Sequence, residues 1–276
     1  MKPKPIALVT GATSGIGEAT AYRLQDRGYS VFAVGRNPEA LDTLRSRGFE
    51  ARALDVTDEA TVARLVEEIN AEHGGVDVLV NSAGYPFPCP LEQVTLADLR
   101  RLFETNVVAT LHFSQLVLPS MRARKAGRII TIGSTGGRFT SPGAGAYHVV
   151  KYGVEALSLS LGAEVAPFGV RVVLIDPTGV RTPFVTSQFE TVRTYPDDDP
   201  YGEFKRRYTA TTRRLTKTPG TMIDADTVAR AVLRAVQAKN PKPRYVVGAS
   251  GKASVLARQV LTDRMWNRVM GKGLKA

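Results

Sequence analysis

Tyr147 and Lys151 stand four residues apart in "YHVVK", a spacing that places both side chains on one face of the helix predicted after Gly145. The pair suits proton transfer. A phenol of pKa about 10 is a poor acid or base near neutrality, whereas an ammonium about 4 Å away, at an effective dielectric near 20, favours the phenolate by about 4 kcal/mol at most. The sequence therefore predicts a tyrosine whose pKa is brought down toward its working range by Lys151. Thirteen residues before Tyr147, "RIITIGS" ends in Ser134, where a fifth strand is expected to leave its sheet. A hydroxyl there can hold a substrate oxygen against the phenol. A serine-hydrolase reading fails, because its G-x-S-x-G turn needs glycine at 132, where Ile132 stands.

A second constellation lies near the start. "TGATSGIG" at 10–17 follows the apolar run Ile6, Ala7, Leu8, Val9 and sets glycines at 11, 15 and 17 where a strand becomes a helix. In such a turn backbone N–H groups and the helix dipole meet a pyrophosphate. Gly11 suits the tight turn, Gly15 the close approach of a ligand, and Gly17 the packing of helix on strand. A nucleotide-hydrolysing phosphate loop is excluded, since Ile16 and Gly17 occupy its glycine and lysine positions. The second strand ends in Val34, Gly35, Arg36, Asn37, with no carboxylate to hold a ribose 2′-hydroxyl and an arginine able to pair with a 2′-phosphate, so NADP(H) is favoured over NAD(H). Asp55, after the third strand, can accept from an adenine amino group or cap the next helix.

The elements that must position these groups are legible as alternation. Apolar runs at 5–9, 29–34, 49–54, 76–80, 128–132, 170–175 and 244–247 read as buried parallel strands, with helical patterns between them. One such helix carries Val62, Leu65, Val66 and Ile69, starts at Thr57 or Asp58 and stops at Gly74 and Gly75. The expected fold is an α/β doubly wound parallel sheet forming one domain over 1–276, with ligands at the strands' carboxyl ends. The long connection at 183–220 is a candidate lid, with Phe184, Phe189, Tyr195, Tyr201, Phe204 and Tyr208 either lining an apolar pocket or holding the segment to the core.

Composition narrows the class. With 276 residues and 43% hydrophobic content the chain can bury a large core. Neither a secretory signal nor a membrane span is visible, which predicts a cytoplasmic protein. Cys89, in a Pro-rich loop, lacks a basic partner and is read as a loop residue, and His73, His112 and His148 lack zinc spacing, so no metal is expected. Residues 201–276 hold 17 Lys and Arg against 4 Asp and Glu, while the rest of the chain holds 20 against 22. No nucleic-acid motif accompanies that charge.

With these motifs in hand the sequence resembles the short-chain dehydrogenase/reductase family in its single-domain, Rossmann-type branch, over about 5–245. The residues that carry the resemblance are "TGATSGIG", "LDVTD" at 54–58, "NSAG" at 81–84, "NV" at 106–107, Ser134 and "YHVVK". It implies hydride transfer between a nicotinamide and an alcohol or carbonyl carbon. Tyr147 would pass the proton, Ser134 would orient the oxygen, and Lys151 would lower the tyrosine pKa and hold the nicotinamide ribose. Asn106, in a helix near 98–118, would position a water joining Lys151 to solvent. Cofactor contacts implied alongside the glycines, Arg36 and Asp55 are Thr13, Ser14 and Ile16 in the turn, Val56, Asn81, Ala83 and Gly84 beside the third and fourth strands, and Pro177, Val180 and Thr182 on the nicotinamide side. Two positions depart from the family pattern: Ser82 replaces a commoner asparagine, and Thr178 replaces a glycine in "DPTGVRT". "RTPF" at 181–184, "PRYVVG" at 243–248 and the basic extension look most like hydroxysteroid and retinol dehydrogenases, implying a hydrophobic alcohol or ketone. A homodimer or homotetramer through the helices bearing Asn106 and Tyr147 is also implied. Read as one helix, "ASVLARQVLTDRMWNRVM" spreads its apolar residues over more than half its circumference, which suits packing on this chain or a second copy better than a membrane surface. The rival functional class is a non-catalytic NADP(H)-sensing regulator, against which the full Asn, Ser, Tyr and Lys set argues.

Overall fold

The computed structural model describes residues 3–185 and 198–272. All seven expected strands are present: β1 (Ile6–Thr10), β2 (Ser30–Gly35), β3 (Glu50–Ala53), β4 (Val78–Asn81), β5 (Gly127–Ile132), β6 (Val170–Pro177) and, after two short strands, β9 (Arg244–Val247). They form one sheet in the order β3-β2-β1-β4-β5-β6-β9, every pairing parallel. The order reverses between β1 and β4, which opens a crevice at their carboxyl ends.

Alternation along the strands explains both layers. Ala7, Val9, Val31, Ala33, Val78 and Val80 point to one face and pack with α1 (Gly15–Gln25), α2 (Pro38–Ser46) and α8 (Ala225–Gln237). Their neighbours Leu8, Phe32, Val34 and Leu79 point to the other, against α3 (Glu59–His73) and α5 (Ala109–Ala123). Local chemistry sets the helix ends. Asn37 accepts from Ala40 N–H ahead of Pro38, Asp58 accepts from Thr61 N–H, and Gly74 closes α3 at φ 74°.

Between α4 (Leu96–Phe103) and α5 the chain does not break but makes a single π-helical turn, Glu104–Val108. Two features differ from the sequence expectation. A two-stranded parallel pair, β7 (Val180–Arg181) with β8 (Ile223–Asp224), sits beside the main sheet. The extension folds as two helices, α9 (Ala249–Val260) and α10 (Asp263–Lys272), because Leu261 turns extended at ψ 135° and Arg258 reaches the Leu261 carbonyl and Asp263 beyond the break. A continuous helical projection across 253–270 therefore mixes two faces. Trp266 is buried, while Leu256, Val260, Met265 and Val269 are exposed. Of the lid candidate, α7 (Gly202–Lys217) follows Phe184 across a stretch outside the described residues, which includes Phe189 and Tyr195. Among the described residues no helix is long and apolar enough to cross a membrane.

Candidate active site

The crevice at the sheet's switch point is a cleft of about 540 Å³. Its floor is the glycine turn. Gly11 (φ 65°) and Gly15 (φ 59°) both hold left-handed backbone, where a side chain is strained. A Cβ on Gly11 would stand 2.9 Å from the Ala83 backbone, and one on Gly15 would press within 3.1 Å of the Thr182 side chain. Gly17 faces inward instead, where a Cβ would collide with the Gly11 carbonyl, so its role is the packing of α1 on the turn. Ser14 begins α1 without a side-chain cap, so the first-turn amides have no hydroxyl partner from Ser14. Thr13, Ser14 and Ile16 line the cleft with Val56, Ala83 and Gly84, and opposite them stand Pro177, Val180 and Thr182.

Arg36 projects from the end of β2 with 75% of its side chain exposed, 3.5 Å from Asp55. Asp55 accepts from the Thr57 amide (3.0 Å) and hydroxyl (2.8 Å), chiefly the former holding its carboxyl below the usual carboxylate range. Capping of α3 falls to Asp58, which leaves Asp55 as a cleft residue.

On the opposite side Ser134, Tyr147 and Lys151 meet. Ser134 follows β5 and its hydroxyl accepts from Gly136 N–H at 3.0 Å. Tyr147 and Lys151 rise from α6 (Gly145–Val165) on one face, as their spacing predicts. The electrostatics differ from the expectation. Burial pushes the Tyr147 phenol up to about 12, with Ser134 in hydrogen-bonding reach pulling the other way. Burial also brings Lys151 down to about 8. Its ammonium donates to the Ile132 carbonyl at 3.2 Å and lies 5.7 Å from the centre of the Tyr147 ring. In this apolar pocket the loss of hydration opposes charge on both groups and outweighs their attraction. Phe184 meets Tyr147 edge-on at 5.9 Å between ring centres.

Asn81 and Asn106 do not line the cleft; they sit behind it. Asn81 donates to Ser114 Oγ at 3.4 Å. Asn106, within the π-helical turn, donates Nδ2–H to the Leu102 carbonyl at 3.0 Å, while its buried Oδ1 has no partner among the described residues. A Cβ on Gly84 would come 2.7 Å from that oxygen, so glycine at 84 keeps the space beside it open.

Several positioning residues were not singled out in the sequence. Thr10 ends β1 and its hydroxyl accepts from the amides of Ser82 (3.0 Å) and Ala83 (3.1 Å), tying the two strand ends that frame the crevice. His148 accepts the Ser141 amide on Nε2 (3.0 Å), which assigns the proton to Nδ1 for the Gly136 carbonyl (2.7 Å); burial holds the imidazole neutral. Trp266 donates its indole N–H to the Thr140 carbonyl at 3.0 Å, with Phe139 packed between it and His148. The loop after Ser134 is thus clamped from α6 and α10. Thr178, the departure from the family glycine, turns its methyl toward Gly248 (φ 106°) and sets its Cβ against Gly251, so that a Cβ at either glycine would crowd it, and its hydroxyl meets Ser250 at 3.1 Å. In the lid candidate, Phe204 and Tyr208 stack over Gly143, and Lys205 pairs with Asp199 at 2.7 Å. Among the described residues no cluster of His, Cys, Asp and Glu could hold a metal ion.

A switch-point crevice floored by a glycine turn defines a Rossmann-type dinucleotide-binding protein. The short chain dehydrogenase family profile matches residues 5–193, and the chain belongs to that family. Among its relatives, an NADPH-dependent 3-dehydrocapnine reductase of Ornithobacterium rhinotracheale is 34% identical over 98% of this chain and 97% of its own. A 3-ketodihydrosphingosine reductase of Bacteroides thetaiotaomicron is 32% identical over 90% and 89%. Among solved structures, a short-chain dehydrogenase from Streptomyces avermitilis superposes with a TM-score of 0.81 at 31% identity, covering 98% of this chain and 97% of that one. An actinorhodin polyketide ketoreductase variant with NADPH superposes at 0.75 and 31% identity, over 90% and 97%.

Proposed function

We propose that this protein is an NADP(H)-dependent oxidoreductase that interconverts a ketone and an alcohol on a substrate with an apolar chain, with Tyr147 as the general acid/base. The observation that carries this reading is the meeting of Ser134, Tyr147 and Lys151 in the cleft that the glycine turn floors. The cleft fits the cofactor: Gly11 and Gly15 leave room for a pyrophosphate at the α1 amides, and exposed Arg36 offers a fork for a 2′-phosphate. Bound there, NADPH supplies the hydride.

The chain's own groups do the rest. Ser134 orients the carbonyl oxygen. Tyr147, a neutral phenol at physiological pH, holds the proton that the oxygen receives, which suits reduction. Lys151, charged below about pH 8, stabilises the phenolate left behind and would hold the nicotinamide ribose. Asn106 Oδ1, buried beside Gly84 and without a partner among the described residues, supports a role in accepting from a water between Lys151 and solvent. Phe184, Tyr85 and Pro86 at the cleft wall favour an apolar chain, and the two reductases named above, each named for a 3-oxo substrate, support a 3-ketone. The exposed Phe103, Leu111, Val149, Tyr152 and Leu159 support a homo-oligomer through α4 to α6.

The test is NADPH oxidation against long-chain 3-ketones, 3-ketoesters, steroid ketones and retinal, with Tyr147→Phe alongside. Turnover that vanishes in the variant, with NADPH still binding, supports the reading. Binding without turnover across the panel would favour a sensing role, and turnover retained by Tyr147→Phe would remove Tyr147 from its part.

A further inference from the structure

Directly behind Ser134, on the side away from the cleft, lies a carboxylate to which neither the sequence motifs nor the proposed proton path assigns a part. Asp176 is the penultimate residue of β6 and is 1% exposed. One carboxylate oxygen abuts Gly133 so closely that a Cβ there would collide with it, and the Ser134 amide lies in hydrogen-bonding reach of the group. The other, Oδ2, is buried and makes no hydrogen bond among the described residues, with Arg244 Nε of β9 3.4 Å away and likewise unbonded there. Arg244 spends its Nη2 on Glu155 of α6, at 2.5 Å. Glu155 also faces Arg138, from the loop after β5, at 3.7 Å. The charged and titratable groups around Asp176 are thus Arg138 from that loop, Tyr147, Lys151 and Glu155 from α6, and Arg244 from β9.

A buried carboxylate with an unbonded oxygen costs stability, and a well-packed apolar residue would ordinarily serve the core better. Its placement gives it work that an apolar residue cannot do. We propose that Asp176 is a positioning residue for the reaction: it fixes Ser134 through the backbone amide and holds Lys151 in its charged form through space. This rests on the proposed role of Ser134, Tyr147 and Lys151. The signs follow from charge alone. An anion behind the site favours the Lys151 ammonium and disfavours the Tyr147 phenolate, so it keeps both groups protonated, the state from which a carbonyl is reduced. Burial, chiefly, lifts the Asp176 carboxyl to about 7, and Glu155 lifts it further while Arg138 and Lys151 oppose. The anion therefore forms as the pH rises through neutrality, ahead of the range in which Lys151 would lose its proton.

The experiment compares wild type, Asp176→Asn, Arg244→Gln and Tyr147→Phe by NADPH affinity, by the pH profile of 3-ketone reduction and by NMR titration of ¹³Cε-labelled Lys151, assigned with Lys151→Arg. Asp176→Asn is nearly isosteric and still accepts through its amide oxygen. It is expected to lower kcat about tenfold or more, leave NADPH binding within about twofold, and move the Lys151 titration and the alkaline limb of the profile about one pH unit lower, as loss of a unit charge several Å away implies. Arg244→Gln, which removes the cation 3.4 Å from the anion and so favours its protonated form, should move the limb the same way by a smaller amount. It decides the matter if Asp176→Asn does not fold. An unmoved Lys151 titration and limb in the folded variants would overturn the inference, even with a lowered melting temperature. Turnover surviving in Tyr147→Phe would instead strike the reading on which it rests, and the NMR titration stands apart from turnover.

Discussion

At the residue scale, Arg36 and Lys151 carry the sharpest expectations. Arg36 stands mostly in solvent at the end of β2, so changing it should leave the fold intact. Arg36→Asp removes a charge-assisted contact worth about 1.5–3 kcal/mol and adds repulsion, so NADPH affinity should fall ten- to hundredfold while NADH affinity changes little. Equal losses for both cofactors, measured by fluorescence titration, would end the phosphate-contact proposal. Lys151 titrates at about 8 because burial disfavours its charge. Ketone reduction is therefore expected to hold below that value and decline above it, and a profile flat to pH 10 would contradict the assignment. That these residues would share one cleft was legible in the sequence, because the glycine turn and the Tyr-Lys spacing are local patterns. Their electrostatics were not. The spacing of Tyr147 and Lys151 says nothing about the Ile132 carbonyl that holds the ammonium, nor about how dry the pocket is.

Elements show the same division. Strands and α3 could be read because each is written in consecutive residues, with Asp58 and Gly74 as its punctuation. The π-helical turn at Asn106 could not, since its extra residue shows only in backbone geometry; such turns recur at functional positions. Nor could the break at Leu261, where one apolar pattern becomes two helices. The pairing of Arg244 with Glu155 joins residues 89 apart and exists only because β9 lies beside β6. The second of the new helices carries a specific expectation. Trp266 hydrogen-bonds the loop that follows Ser134, so Trp266→Phe, which keeps most of the packing and loses the indole N–H, should cost about 1 kcal/mol at that loop. The expected outcome is a KM raised about fivefold with kcat and melting temperature nearly unchanged. A variant with wild-type KM would show that α10 does not support the loop.

For the whole molecule, the doubly wound sheet was foreseeable, because buried strands alternating with crossover helices admit few arrangements. Association is proposed, and in the sequence it rests on resemblance alone. The apolar residues left exposed on α4 to α6 give it a physical basis: Val149 is 51% and Tyr152 42% exposed. Val149→Glu places a charge in that face, and light scattering should show a smaller species than the wild type. A monomeric wild type would remove the oligomer from the proposal. The sheet order has one more consequence, for synthesis of the chain. β6 leaves the ribosome about 70 residues before its edge partner β9, a delay of roughly 4 to 14 s at ordinary elongation rates. Through that interval Asp176 and Glu155 lack Arg244, and the loop after Ser134 lacks Trp266. A nascent chain thus holds its glycine turn, serine, tyrosine and lysine well before it can hold them still, and a message truncated before codon 244 would encode every proposed reacting group and no settled site.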